Sequence, residues 1–247
     1  MSDPAIVLIT GARGGIGRAL AQQLTTHGWR VAAVGRDAAL LADVPADARI
    51  AADTTTPEGA ATAVRQCQDM LGSPPSHLAH CVGSTLIAPL HRTSVAQWRE
   101  VLRVNLDSAL CMLGAWIEAC RGAQQPGAAV LVSSVVAQIG VANHEAIAAA
   151  KGGIEALVRS AAATYAPIGL RVNAVAPGMT DTPLTAGMLK VPAMREGAGR
   201  QYPLGGVQSA GEVAQAMAWL LSAAASRITG QVMAVDGGFT TIRPLVK

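Results

Sequence analysis

Short runs of consecutive apolar residues recur along this chain, separated by longer stretches in which apolar residues return every three or four positions. The short runs are Ala5–Thr10, Arg30–Gly35, Ala48–Ala52, Leu78–Val82, Ala128–Ser133, Leu170–Val175 and Gln231–Val235. Their apolar residues do not alternate with polar ones, which is the pattern of a strand covered on both faces. The longer stretches predict helices over about 15–27, 57–71, 96–121, 145–166 and 210–224. Strand and helix in regular alternation pack as a parallel sheet, because each crossover must carry a helix over one face.

The expected architecture is therefore α/β: a Rossmann-like, doubly wound, seven-stranded and mostly parallel sheet with helices on both faces, in one domain over 1–247. The least regular stretch is 178–208, rich in Gly, Pro and Met. It follows a strand end, where ligands of such sheets bind, so it reads as a substrate lid; a long surface loop is the plainer alternative. Composition agrees with a packed domain: 51% of residues are hydrophobic and 14% charged, which excludes disorder. The net charge of +3 with no basic run argues against a nucleic-acid partner but leaves room for a basic pocket that takes an anionic cofactor. Cys67, Cys81, Cys111 and Cys120 form no C-x-x-C pair and read as buried reduced thiols, with no metal site. The start "MSDPAIVLITG" runs straight into a strand, and no apolar stretch approaches the roughly 20 residues that cross a bilayer. The expectation is a cytoplasmic protein without a membrane partner.

Directly after the first strand comes "TGARGGIG", Thr10 to Gly17, opening the first helix. Glycines there let backbone N–H groups approach a pyrophosphate, and the helix N-terminus favours its charge. Gly11, Arg13, Gly15, Ile16 and Gly17 are thus candidate cofactor contacts. The second strand ends in Gly35 and Arg36, where an acidic residue would select NAD by its ribose 2′-hydroxyl. Arg36, with Arg13, could instead pair with a 2′-phosphate, which favours NADP(H) over NAD(H); a solvated arginine pair and the neighbouring Asp37 are the competing features. Asp53 and Thr54, past the third strand, are placed to meet an adenine edge or to cap a turn.

In order along the chain stand "TGARGGIG" at 10–17, Asp53, "VNL" at 104–106, "SS" at 133–134, Lys151, "RVNAVAPG" at 171–178 and "ITGQVMAVDGG" at 228–238. With this set the chain resembles the short-chain dehydrogenase/reductase family over nearly its whole length. The resemblance implies a nicotinamide cofactor, hydride transfer to or from a small carbonyl or alcohol substrate, and a homo-oligomer, tetramer or dimer. It implies that Asn105 holds a proton-relay water, that Ser134 orients substrate, and that Lys151 binds the nicotinamide ribose. Gly83, Pro177, Gly178, Thr180 and Thr182 match residues along the cofactor's path. Plainer readings exist: Asn105 as a helix-bend residue, Ser133 in place of Ser134, Lys151 at the surface.

Two departures stand out. The family's Asn-Asn-Ala-Gly reads "HCVG" here, His80 to Gly83, with His80 expected to be a buried structural side chain. The family's catalytic tyrosine, four residues before the lysine, is Ile147. Tyr165 lies 18 residues further along the same helix, about 27 Å at 1.5 Å per residue, and cannot serve. Tyr202 lies in the lid before "PLGG", a turn expected to fix it elsewhere. His144, seven residues before Lys151, would point the same way to within roughly 20° on a regular helix, and is a candidate proton donor, helix cap or substrate contact. Three readings follow: an oxidoreductase whose proton comes from His144 or from water held by Asn105, Ser134 and Lys151; a cofactor-binding homologue without turnover that acts as a sensor or structural partner; and lyase or isomerase chemistry.

Overall fold

The computed structural model describes residues 4–243. Its strands are β1 (Ile6–Thr10), β2 (Arg30–Gly35), β3 (Ala48–Ala51), β4 (His77–His80), β5 (Gly127–Val132), β6 (Leu170–Pro177), β7 (Thr180–Asp181), β8 (Gln208–Ser209) and β9 (Val232–Val235). Seven form one sheet in the order β3-β2-β1-β4-β5-β6-β9, and every neighbouring pair is parallel. The helices are α1 (Gly15–Thr26), α2 (Pro57–Leu71), α3 (Val95–Leu102), α4 (Ser108–Gly122), α5 (Glu145–Tyr165), α6 (Ala186–Leu189), α7 (Pro192–Gly199) and α8 (Ala210–Leu221).

The consecutive apolar runs have a direct cause. Val7 and Ile9 of β1 join Leu20 and Leu24 of α1 and Val213 and Met217 of α8 on one face. Ile6 and Leu8 join Val64 of α2, Trp116 of α4 and Ile154 of α5 on the other. Side chains alternate across a strand, so a strand packed on both faces needs apolar residues at every position. Each fully buried Leu or Ile contributes roughly 1.5–3 kcal/mol. Local signals set the ends of α2: Thr56 Oγ1 accepts the Gly59 N–H at 3.1 Å, Pro57 opens the first turn, and Gly72 closes it at φ +78°.

Three differences from the expected boundaries bear on the site. The helix expected over 96–121 is divided by a π-helical turn, Arg103–Asp107. Two side chains explain the break: Asn105 Nδ2 donates to Val101 O at 3.0 Å, and Ser108 Oγ donates to Val104 O at 2.6 Å, so both carbonyls are served as the backbone widens. β4 ends at His80, two residues early, and frees Cys81 and Val82 to border a cavity. β6 runs on to Pro177 because β9 pairs with it through Pro177 and Val235.

The segment 178–208 is more ordered than a loop. It holds β7, α6, α7 and β8, and β7 pairs with β8 across its base. There Gln208 N donates to Met179 O at 3.2 Å and Gln208 Nε2 to Thr180 Oγ1 at 2.9 Å. All four cysteines are free thiols; Cys67 and Cys120 are buried, whereas Cys81 and Cys111 are only half-buried, contrary to expectation. Among the described residues no helix is long and apolar enough to cross a membrane, and no cluster of His, Cys, Asp and Glu could hold a metal ion.

Candidate active site

The chain moves outward from β1 to β2 and β3, then returns to β4 on the other side of β1, leaving a crevice at the carboxyl ends of the strands. Gly11 turns there at φ +66°, and a Cβ on it would lie 2.8 Å from the Cys81 carbonyl. A Cβ on Gly17 would lie 2.6 Å from Gly11 O. Side chains are therefore excluded at both positions. Gly14 caps α1 without a side-chain hydrogen bond, so no side chain takes the first N–H groups of the helix. Thr182 lies over this turn: a Cβ on Gly15 would be 2.8 Å from its Cγ2. Gly14, Gly15, Ile16 and Gly17 line the cavity, while Arg13 is exposed.

Arg36 is exposed beyond β2. Asp37 is turned to its own backbone, its Oδ1 accepting the Ala39 N–H at 2.9 Å. Asp53 Oδ1 accepts Thr55 Oγ1 at 2.7 Å and Thr55 N at 3.1 Å, and these bonds hold its carboxyl below the usual range. Thr54 is buried, so of the two residues expected at an open edge only Asp53 is exposed.

A cavity of about 420 Å³ runs from Gly14–Gly17 past Gly83 to the segment 178–208, and includes Pro177, Gly178, Thr180 and Thr182. Lys151, on α5, is 6% exposed, and its Nζ donates to Val132 O at 2.8 Å. Burial pushes its pKa down from 10.5 to about 8. Asn105 lies in the π-helical turn, fully buried; its Oδ1 accepts the Ser84 N–H at 3.2 Å and its Nδ2 donates to Ser84 Oγ at 3.0 Å. Asn105 is thus both the bend residue and the tie to the turn after β4. A Cβ on Gly83 would lie 3.1 Å from Asn105 Oδ1 and 3.5 Å from Lys151 Nζ, so this glycine keeps the space between them open.

The two serines separate cleanly. Ser133 is buried, and its hydroxyl donates to Glu155 Oε1 at 2.9 Å. Ser134 lines the cavity, and its Oγ accepts only a long 3.4 Å bond from Val136 N. Ile147 is 5% exposed and packs with Val101, Leu86, Trp98 and Val136 while bordering the cavity one turn before Lys151. α5 starts at Glu145 as expected, and His144 is its N-cap residue at φ −114°, ψ 18°, so helical spacing does not set its direction. Asn143 precedes it at φ +64°, a conformation that costs a non-glycine residue energy. His144 Nδ1 donates to Ala142 O at 2.7 Å, which leaves Nε2 unbonded in a ring that lines the cavity.

His80 is a buried structural side chain, as expected. Ser108 donates to Val104 O and so accepts from His80 Nε2 at 3.0 Å; His80 Nδ1 then accepts from Thr10 Oγ1 at 2.8 Å. Both ring nitrogens are satisfied, and burial, with Lys151 nearby, pushes the imidazole pKa down to about 3. The histidine links β1 and β4 to the helix after the π-helical turn.

Tyr202 is fixed, as its turn suggested, yet it does line the cavity. Its hydroxyl accepts the Met179 N–H at 2.6 Å and its ring packs 5.0 Å from Phe239. Met188 also lines the cavity; Met194 is 55% exposed and stays outside. Sequence reasoning missed Ser84, Cys81, Gln201 and Phe239 as lining residues. Cys81 lies within the departure at 80–83 and Ser84 follows it, so both were open to being found from it; Phe239 follows the motif at 228–238, and Gln201 arrives from a segment with no motif of its own.

A family model described as enoyl-(acyl carrier protein) reductase matches residues 11–240. The chain belongs to the short-chain dehydrogenase/reductase family. Members of this family use nicotinamide cofactors. The chain is 39% identical over 246 residues to cis-4-hydroxycyclohexanecarboxylate dehydrogenase of Sinomonas cyclohexanicum, covering 96% of this chain and 97% of that one. It is 34% identical to galactitol 2-dehydrogenase (L-tagatose-forming) of Cereibacter sphaeroides, with 96% of each chain covered. The solved structure of ligand-free aldohexose dehydrogenase from Thermoplasma acidophilum superposes with a TM-score of 0.89 at 29% identity, over 99% of this chain and 97% of that one.

Proposed function

We propose that this chain is an NADP(H)-dependent oxidoreductase acting on a small carbonyl compound or the corresponding alcohol, with an active site that works without tyrosine at position 147. The observation that carries the reading is Lys151: an ammonium buried without a carboxylate partner is costly, and it borders the same open space at Gly83 as Asn105.

The residues fit a dinucleotide, since Gly11 and Gly17 leave no room for a side chain where its pyrophosphate would approach the backbone. Gly15, Ile16 and the N-terminus of α1 would hold that pyrophosphate, and Arg36 with Arg13 a 2′-phosphate. Asp37 supports this choice because its carboxylate is engaged with Ala39. Asp53 would meet the adenine, Lys151 the nicotinamide ribose, and Pro177, Gly178, Thr180 and Thr182 the nicotinamide end. When bound, the cofactor supplies or accepts the hydride. Ser134 orients the substrate oxygen, Asn105 holds the Ser84 turn and a relay water, and His144 contacts substrate at the cavity mouth. The segment 178–208 acts as the lid that excludes water. The lining from Ile147, Val136, Met179 and Met188 suits a carbon framework with few polar groups. A homo-oligomer is the proposed assembly.

One observation favours a second reading, a cofactor-binding homologue without turnover: Ile147 is 5% exposed and packs into an apolar cluster with Val101 and Val136, so the cavity wall at that position carries no acid. The test is NADPH and NADH binding by calorimetry, followed by NADPH oxidation with aldehydes, ketones and diketones. The first reading expects tighter NADPH than NADH binding and reduction of at least one carbonyl; binding without any reduction supports the second.

A further inference from the structure

With isoleucine at 147, the proton for a nascent alkoxide has to come from another group, and the cavity wall offers few. His80 has both ring nitrogens bonded, to Thr10 and Ser108. The amide of Asn105 is engaged at both ends, with Val101 and Ser84. The Cys81 thiol is pushed up to about 12 by burial. Tyr202 is held at the base of the segment 178–208 by Met179 N, and burial raises its pKa, so it gives up its proton less readily. His144 sits outside α5, its Nδ1 proton committed to Ala142 O. Ser134 is an alcohol, no stronger an acid than the product.

Lys151 differs from all of these. An ammonium has three N–H donors, and the protein accepts one, through Val132 O. The side chain borders the cavity, and beside Nζ lies the opening kept by Gly83.

We propose that Lys151 is itself the acid of this site, not the assistant of another acid. The inference rests on the oxidoreductase reading. In the reductive direction the carbonyl carbon accepts a hydride, and the C=O π pair moves onto oxygen. That oxygen takes a proton originating from Nζ and becomes the hydroxyl. Nζ is left as a neutral amine and is reprotonated from solvent; oxidation runs the same steps backwards. The groups facing Lys151 favour an amine that can cycle between both forms. His80 and Cys81, from β4 and the turn after it, are neutral at pH 7; Asn105 is uncharged; on α5 itself Glu155 is engaged with Ser133 and Gln138. Burial lowers the Lys151 pKa to about 8, close to the working range of a proton donor.

The test combines three measurements on the full chain. First, NMR of lysine 13Cε in the cofactor-free protein should show one resonance titrating near pH 8, missing from Lys151→Ala. Second, the rate of NADPH-driven reduction of 2,3-butanedione, or of whichever ketone in the panel is turned over, should fall tenfold per pH unit above that ionisation. Third, Lys151→Arg keeps the charge but not the transferable proton. At saturating NADPH it should lose at least 100-fold in rate. Methylammonium added to Lys151→Ala should restore rate in proportion to its concentration, which keeps the test valid if the arginine variant misfolds. Lys151→Arg within tenfold of wild type, a flat rate between pH 7 and 9, or no rescue by methylammonium would each overturn the assignment. A wild-type chain that binds NADPH and reduces no carbonyl overturns the oxidoreductase reading, and this assignment falls with it.

Discussion

Lys151 donates to the carbonyl of Val132 at 2.8 Å, and among the described residues no carboxylate pairs with it. An unpaired buried ammonium is a stability cost that can be measured. Its folded pKa of about 8 lies below its unfolded value of 10.5, so the native state disfavours the charged form. The penalty is present in full below pH 8 and is relieved as pH rises from 8 to 10.5. At about 1.4 kcal/mol per pKa unit the charge costs on the order of 3 kcal/mol at pH 7. Lys151→Met removes that cost but leaves Val132 O unpaired, a loss of about 1 kcal/mol. We expect the cofactor-free variant to be more stable than wild type by about 2 kcal/mol at pH 7, read from urea unfolding, and the gain to vanish near pH 10.

Two histidines, His80 buried and His77 half-buried, set the acid side. His77 is pushed down to about 4 and His80 to about 3, in both cases chiefly by burial. Both lie below the unfolded value near 6.5, so the stability they confer is complete above pH 6.5 and is lost as pH falls towards 3–4. Each contributes a slope of about 1.4 kcal/mol per pH unit in that window. Unfolding free energy should drop by roughly 4 kcal/mol between pH 7 and pH 5, and His77→Gln should about halve that dependence after its own cost at pH 7 is subtracted.

The proposed preference for NADPH over NADH is tested at Arg36. Arg36→Asp removes the proposed partner of a 2′-phosphate and puts a carboxylate in its place. A charged hydrogen bond is worth about 1.5–3 kcal/mol. NADPH affinity should fall roughly 10- to 100-fold while NADH affinity holds or improves, as measured by fluorescence titration. Equal losses for both would refute the assignment.

Much of this was legible in the chain. The consecutive apolar runs located all seven strands of the sheet because both faces are covered, and the glycine turn marked the crevice because its constraint is on the backbone. The family resemblance pointed to Ser134 rather than Ser133, and in the structure Ser134 lines the cavity while the Ser133 hydroxyl donates to Glu155. What failed was what depends on side chains reaching back to the main chain. Asn105 and Ser108 divide a helix that looks continuous by periodicity, since their bonds to Val101 and Val104 carry no apolar signal. His144 is the N-cap of a helix that starts where periodicity put it, so the direction inferred from seven-residue helical spacing to Lys151 does not apply to it. Tyr202 came to the cavity through a hydrogen bond from the Met179 N–H, within the same segment 178–208, that no local pattern signals.

Ile147 marks the point on which the functional account turns. Ile147→Tyr should fold, at a cost of about 1–3 kcal/mol for overpacking against Val101 and Leu86. The most direct measurement is NADPH oxidation over a carbonyl panel by the wild-type chain and Ile147→Tyr side by side. The account predicts that the wild type reduces at least one carbonyl, with the tyrosine variant faster by tenfold or more on the same compound. Reduction by Ile147→Tyr alone would contradict it, and would make the natural chain a cofactor-binding protein that has lost its acid.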